Sequence, residues 1–231
     1  SACLVGSEMC IRDRHGLEEM YVKKLPRFYY VTIMNENYMQ PPMPESCEED
    51  IIKGMYLLRP HKGRKSRKMV QLMGSGTILR EVIAAADILE SQFGITADIW
   101  SVTSFTELRR EGMTVSRWNM LHPDEMPRTS HIEDCIANKS GPVLAATDYK
   151  KTFADQIREF IDVYYKLLGT DGFGRSDTRE QLRSFFEVDR RYIAVAALSA
   201  LVKENVIDAN VVKKAIVDFE IDPEKPDPAY S

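Results

Sequence analysis

The chain has 231 residues, including 31 Lys and Arg and 35 Asp and Glu. Its formal net charge at pH 7 is therefore -4. This balance argues against a general affinity for nucleic acid, and no apolar run approaches the roughly 20 residues that a membrane-spanning helix needs. Apolar residues make up 44% and charged residues 29%, which is ordinary for a globular protein long enough to bury a sizeable core.

The first 14 residues differ from the rest of the chain. They show neither a helical apolar stripe nor strict alternation, and they lack the apolar run and cleavage site of a signal peptide. Residues 4–14 coincide, in one reading frame and without a gap, with the translated end of a widely used transposase sequencing adaptor. The alternative is a genuine disordered N-terminus. We expect residues 1–14 to be an adaptor-derived artefact and disordered, and the true chain to be a fragment that begins near His15.

The cysteines indicate a reducing compartment. Two of the four, Cys3 and Cys10, lie in that first segment. The other two, Cys47 and Cys135, are too few and too far apart in sequence for a disulfide framework, and no CxxC or Cys/His spacing predicts zinc. We expect a cytoplasmic protein.

Next in the chain, residues 16–24 predict a short helix. Residues 27–34, RFYYVTIM, are aromatic and β-branched and predict a buried strand. Three prolines in NENYMQPPMPES then predict an extended linker. We place a domain boundary there, with residues 15–43 on one side and residues 44–231 on the other.

The second unit opens with a helix that leads into a strand at 55–59. Residues 61–68, HKGRKSRK, carry five basic side chains. They are interpreted as a solvated hairpin tip, or else as a docking patch for an acidic partner. The strand MVQLMGSG follows, and then a helix with Ile78, Val82 and Leu89 on one face and Gly94 just past its end.

The remaining pattern continues to alternate between strands and helices. A strand near 96–102 is followed by two short helices, a third helix at 131–139, the strand GPVLAATDY, a helix at 153–165 and the strand YKLL. Helices at 178–186, 190–204 and 209–219 precede a tail with three prolines that should be loose. Alternation of this kind predicts an α/β fold, a three-layer sandwich with a mostly parallel mixed sheet covered by helices on both faces.

The turn between Gly74 and Gly76 is typical of loops that bind phosphate at a helix start. The dinucleotide fingerprint needs a third glycine where Leu79 stands, and the Lys-Ser/Thr pair of the nucleotide-triphosphate loop is absent. A plain tight turn is the favoured interpretation. The loop LGTDGFGRSD carries Asp171 and Asp177, but not at the spacing of a calcium loop, so it too is interpreted as a structural turn.

No residue is predicted to be catalytic, cofactor-binding or metal-binding. The four histidines, His15, His61, His122 and His131, have no partner at metal-ligand spacing. The acids Glu48, Glu49 and Asp50 are interpreted as favourable charge at a helix start. The sequence shows no nucleophile motif and no Glu/His metal motif.

Five stretches together resemble one family: FYYVTIMNENYMQPPMPE, LMGSGTILREV, SVTSFTELRREG, RWNMLHP and LGTDGFGRSDTREQLRSFFEVD. It is the homodimeric type of pyruvate dehydrogenase decarboxylase component, a large thiamine-diphosphate enzyme similar to transketolase. The resemblance runs from His15 to about Pro228 with the motifs in the family's order. It implies that the chain is the C-terminal part of a protein several times longer.

The resemblance implies three α/β domains in the whole enzyme. The first binds the diphosphate and Mg²⁺, and the second binds the pyrimidine ring. Residues 15–43 would be the end of that middle domain, and residues 44–231 the transketolase-type C-terminal domain, which braces a homodimer. The two-carbon unit would pass to the lipoyl-bearing dihydrolipoyl acetyltransferase core. The family's catalytic motifs are absent from this chain, so the fragment alone should be inactive and bind no cofactor. From its charge and the lack of a long apolar run, we also expect no nucleic-acid or membrane partner. The competing hypothesis is a free-standing interaction or nucleotide-binding module that uses the Gly74–Gly76 turn.

Overall fold

A computed structural model describes residues 7–32, 36–61 and 67–231. Its centre is a five-stranded sheet in the order β1-β3-β2-β4-β5. The strands are β1 Met55–Arg59, β2 Met69–Gly74, β3 Thr96–Val102, β4 Val143–Ala146 and β5 Tyr165–Leu168. Strands β2 to β5 run parallel, and β1 pairs antiparallel with β3. The expected mostly parallel mixed sheet is confirmed.

The helices are α1 Ser7–Leu17, α2 Glu48–Lys53, α3 Leu79–Phe93, α4 Phe105–Leu121, α5 His131–Ile136, α6 Lys151–Asp155, α7 Arg179–Phe185, α8 Arg190–Lys203 and α9 Ala209–Asp218. A π-helical turn, Glu18–Val22, follows α1, and 3₁₀ turns occur at Gly76–Ile78 and Arg158–Phe160. In the described part of the chain, no helix combines the length and the apolarity that crossing a bilayer requires.

Helices cover both faces of the sheet, as expected. Successive residues of β2 point to opposite faces, so Leu72 joins one core and Met73 the other. Side chains of α3, α8 and α9 build the first core, and those of α4 and α5 build much of the second. Because both faces are covered, every residue of β2 is buried and its sequence is almost continuously apolar.

Helix α3 has the predicted face and end. Ile78, Val82 and Leu89 are buried together against the sheet. Gly94 ends the helix with φ +63, and its N–H donates to the carbonyls of Glu90 and Leu89. A glycine adopts this left-handed conformation without strain.

Helix α4 is one continuous helix, so the two short helices expected there were wrong. Gly112 lies inside it and does not break it. A Cβ on Gly112 would stand 2.7 Å from the ring of Phe160, so the glycine serves close packing. The helix expected at 153–165 was also wrong: α6 ends at Asp155, and Tyr165 begins β5, where its hydroxyl donates to the carbonyl of Ala154.

The disorder expected for residues 1–14 was wrong for the residues from Ser7 onward, which form α1. Ile11 packs with Cys47, Ile51 and Tyr56 in a small apolar cluster beside α2. This contact gives the helix a buried side despite its polar sequence. Residues 1–6 lie outside the described residues, and the adaptor origin stays a prediction that the genomic sequence upstream of His15 tests.

The buried strand expected at 27–34 was wrong for residues 27–32, which belong to no strand. Phe28 is 88% exposed and Tyr30 is 86% exposed. No described strand runs beside them, so their β-forming sequence has nothing to pair with. Residues 33 and 34 lie outside the described part. The domain boundary at residue 43 stays a prediction.

The hairpin expected around residues 61–68 was wrong, because β1 pairs with β3 and not with β2. Residues 62–66 lie outside the described residues. The tail expected to be loose is instead fastened to the domain. The ammonium of Lys225 donates to the carbonyl oxygens of Ser184 at 3.1 Å and Phe185 at 2.7 Å, at the end of α7. A cation is favourable at this negative end of a helix.

Candidate functional site

The carboxyl ends of β2 and β4 form the place where an open α/β sheet usually binds ligands. Strand β2 leads through α3 to β3 on one side, whereas β4 lies on its other side. The chain therefore leaves this point in opposite directions, which opens a crevice beyond the strand ends. Ser75 and Gly76 enter it after β2, and Thr147 and Asp148 enter it after β4.

The glycine turn serves packing. A Cβ on Gly74 would stand 2.8 Å from the Cα of Leu79, so only glycine lets α3 start this close to the sheet. Gly76 has φ +55. The hydroxyl of Ser75 donates to that of Thr147 at 2.8 Å, which joins the two strand ends. These features agree with the plain tight turn.

A carboxylate faces the turn where a phosphate would have to lie. A Cβ on Gly76 would stand 3.5 Å from Oδ1 of Asp148. Burial raises the pKa of Asp148, and the carboxylate of Glu36 adds to this, while Arg183 acts against both. A carboxylate this close to the turn would repel a phosphate bound to the turn's N–H groups. The nucleotide-binding module using the Gly74–Gly76 turn is therefore not supported.

Beside the crevice lies a network of arginines and glutamates from distant parts of the chain. The carboxylate of Glu36 accepts from Arg80 at 2.7 Å and from Arg183, and the guanidinium of Arg179 lies 3.6 Å away. The carboxylate of Glu81 accepts from Nε and Nη2 of Arg190 at 2.9 and 3.1 Å.

The paired charges of this network hold parts of the chain together and do not fit a role in acid–base catalysis. Burial would raise the pKa of Glu81, but hydrogen bonds and charge from Arg190 outweigh it and lower the pKa. A general acid at neutral pH needs the opposite shift. The carboxylate of Glu36 is paired with arginines in the same way.

The structure brings one cysteine and one histidine together. The Sγ of Cys135 lies 3.6 Å from Nε2 of His131, and that nitrogen is 2.8 Å from the carbonyl oxygen of Met55. Burial raises the pKa of Cys135 to about 12. The thiol is therefore protonated at neutral pH and is a poor nucleophile. Burial also raises the pKa of Cys47.

The other histidines also have structural partners. His61 hydrogen-bonds through its amide and its Nδ1 to Oδ1 of the fully buried Asp98, at 2.7 and 2.9 Å, near the opposite edge of the sheet. His122 stacks on Trp118 with 4.4 Å between ring centroids. Nε2 of His15 lies 3.6 Å from the carboxylate of Glu19.

Over residues 7–32, 36–61 and 67–231, no group of three His, Cys, Asp or Glu side chains could hold a metal ion. Glu48, Glu49 and Asp50 form the first turn of α2. Asp171 contacts Lys151, and Asp177 bonds the amide of Thr178 ahead of α7. That this chain has no catalytic or cofactor residue stays a prediction.

Sequence reasoning missed the arginine network. Its one local signal is the spacing of Arg179 and Arg183, which puts both on the same face of a helix. Their acidic partner, Glu36, belongs to the segment that was interpreted as a linker. Only the folded chain brings these residues together.

Comparison with known proteins assigns the domain. Residues 54–189 match the family described as the transketolase-like TK C-terminal domain. The pyruvate dehydrogenase E1 component of Pseudomonas aeruginosa is 53% identical over 222 residues, which are 96% of this chain and 25% of that protein. The E1 component of Escherichia coli K12 is 50% identical over 223 residues, 96% of this chain and 25% of that protein. The chain thus spans about a quarter of the length of these relatives.

Among solved structures, a transketolase from Pichia stipitis in complex with sedoheptulose 7-phosphate matches with a TM-score of 0.47 and 20% identity, over 73% of this chain and 21% of that one. That likeness is distant. The family match at residues 54–189 covers more than half of the chain and contains all five strands and helices α3 to α7. The chain belongs to the family of transketolase-like C-terminal domains.

Proposed function

We propose that this chain is part of a pyruvate dehydrogenase (acetyl-transferring), the enzyme that decarboxylates pyruvate and passes the acetyl unit to lipoyl groups. The observation that carries the proposal is 53% identity with a pyruvate dehydrogenase E1 component across 96% of the chain. The family resemblance adds a homodimer, a lipoyl-bearing dihydrolipoyl acetyltransferase as the partner, and a cytoplasmic location.

Within that enzyme, we assign this chain a structural role. Bound thiamine diphosphate supplies an electron sink for the carbanion left by decarboxylation. The described residues of this domain build a sheet with covered faces and arginine-paired carboxylates, and they offer no cradle for a diphosphate at the Gly74–Gly76 turn. Cofactor and Mg²⁺ would be held by other parts of the longer protein, and this domain would brace the dimer.

A direct test uses the chain by itself. Calorimetric titration with thiamine diphosphate and Mg²⁺ should give no saturable heat, and pyruvate should not be decarboxylated, because a cofactor site must be held in place by its whole surrounding shell. A saturable heat at micromolar cofactor would contradict the structural role.

A second test places the chain in an active protein. The matching quarter of the Pseudomonas aeruginosa E1 component is replaced by this chain, and pyruvate decarboxylation is measured. We expect an active homodimer, whereas the same relative with that quarter deleted should be inactive. A soluble hybrid that forms the relative's dimer but has no activity would contradict the proposed function.

A further inference from the structure

The side chain of Glu36 is largely covered, although it lies in an irregular segment. It lies in residues 36–44, which form no helix or strand, and its side chain is only 12% exposed. Met39, three residues later, is 93% exposed. The carboxylate of Glu36 and the side chain of Met43, which packs beside Ile51, are therefore both turned toward the domain.

The partners of Glu36 come from two helices. Arg80 belongs to the first turn of α3, and Arg179 and Arg183 belong to α7. Charge-assisted hydrogen bonds of this kind are about twice as strong as neutral ones. The guanidinium of Arg80 also lies 4.7 Å from the centre of the Tyr38 ring, so the segment is held at two neighbouring side chains.

Arg183 depends on this carboxylate. Its side chain is only 14% exposed, and the carboxylate of Glu81 stands 3.6 Å away while already accepting three hydrogen bonds from Arg190. The charge of Arg183 also acts on Asp148, whose pKa is raised by burial. Without Glu36, a buried guanidinium would lose its direct hydrogen-bond acceptor, which is costly.

We propose that Glu36 is a positioning residue: it fastens the segment before the transketolase-like domain to α3 and α7. Its carboxylate fixes the point at which any preceding part of a longer protein enters this domain. The inference holds whatever reaction that protein performs.

Limited digestion with chymotrypsin tests the fastening directly. Cleavage after Tyr38 requires the segment to leave Arg80, cleavage after the exposed Tyr30 gives a reference rate, and cleavage after the buried Trp100 reports global unfolding. Mass spectrometry separates the three products. In Glu36→Gln, cleavage after Tyr38 should speed up about tenfold relative to Tyr30, because charge-assisted hydrogen bonds are lost. Glu45→Gln, at an exposed carboxylate in the turn just after the segment, is the matched control and should leave the ratio unchanged.

A double-mutant cycle identifies the partner. Arg80→Met should also speed cleavage after Tyr38, and combining it with Glu36→Gln should add clearly less than the sum of the two single effects, as for residues in contact. The proposal is overturned if Glu36→Gln matches Glu45→Gln. It is overturned equally if cleavage after Trp100 rises in parallel with cleavage after Tyr38, because the effect would then be general unfolding.

Discussion

Two aspartates have pKa values shifted in opposite directions. Asp98 lies near the amino end of β3, and Asp148 follows the carboxyl end of β4. Burial would raise the pKa of Asp98, but hydrogen bonds from the amide and ring of His61 and the charge of Lys139 outweigh it and lower the pKa. Burial raises the pKa of Asp148, and its nearby charges do not reverse this. Folding therefore favours the charged form of Asp98 and disfavours that of Asp148.

Asp98→Asn should destabilise the fold at pH 7 by about 2 kcal/mol, since hydrogen bonds to a charged group are weakened and Lys139 loses its partner at 3.4 Å. Urea unfolding measures this. The surface variant Asp87→Asn, which loses only an ion pair with Arg59, is the control and should cost less than about 1 kcal/mol.

Measuring the free energy of unfolding at acid pH tests the role of the same carboxylate. Because its folded pKa is lowered, Asp98 contributes its full stability above the unfolded value of about 3.9. That contribution is lost as the pH falls through the folded pKa. The free energies of unfolding of the unchanged chain and of Asp98→Asn should therefore become more alike below about pH 4. A difference that stays constant down to pH 2 would contradict the role of the charge.

Asp148→Asn should act in the opposite direction. A carboxylate whose folded pKa is raised opposes folding above its unfolded pKa, so removing the charge should increase the free energy of unfolding at pH 7. At pH 3 the native side chain is itself largely protonated, and the two proteins should be alike. Thermal unfolding at both pH values measures this; a loss of stability at pH 7 would show that the charge of Asp148 is needed.

At the scale of elements, the sequence predicted what depends on local pattern. Helices α3 and α9 each have an apolar face, and helix-start residues mark α8 and α9, which Asp189 and Asp208 cap. The strand expected at 27–34 failed because pairing depends on a neighbour that the local sequence cannot supply. The sequence did not predict the arginine–glutamate network at the candidate site for a similar reason, because Glu36 and Arg183 are 147 positions apart.

Two glycines outside the candidate site, Gly94 and Gly141, show how far close backbone packing contributes to stability. Gly141 precedes β4 with φ +82, and a Cβ there would stand 1.8 Å from the carbonyl oxygen of Met69 in β2. Gly94 has φ +63 with nothing within 4 Å of the same position. Gly94→Ala should cost about 1 to 2 kcal/mol, because alanine is strained in the left-handed conformation. Gly141→Ala should cost clearly more in urea unfolding, since backbone must move; equal losses would mean that the contact is relieved easily.

At the scale of the whole molecule, exposed apolar residues gather in one stretch. Phe28 and Tyr30 are largely exposed, in a segment that no described strand pairs. Uncovered apolar, β-forming chain of this kind promotes association.

The double variant Phe28→Ser, Tyr30→Ser should therefore be more soluble and scatter less light than the unchanged chain, with the same melting temperature. Val217→Ser, at a single exposed apolar position on α9, is the control and should change little. Unchanged scattering in the double variant would mean that this stretch does not drive association.

The order of the strands has a consequence for the protein as it leaves the ribosome. Strand β2 is central, and one neighbour, β3, follows it after a single helix, so β2, α3 and β3 form a unit that can assemble early. The other side of β2 can pair only after β4 has been made, because Gln71 pairs with Val143. Until that part of the chain emerges, an apolar strand keeps one row of backbone groups open. We therefore expect the nascent chain to be most prone to aggregation while the residues between β3 and β4 are being made.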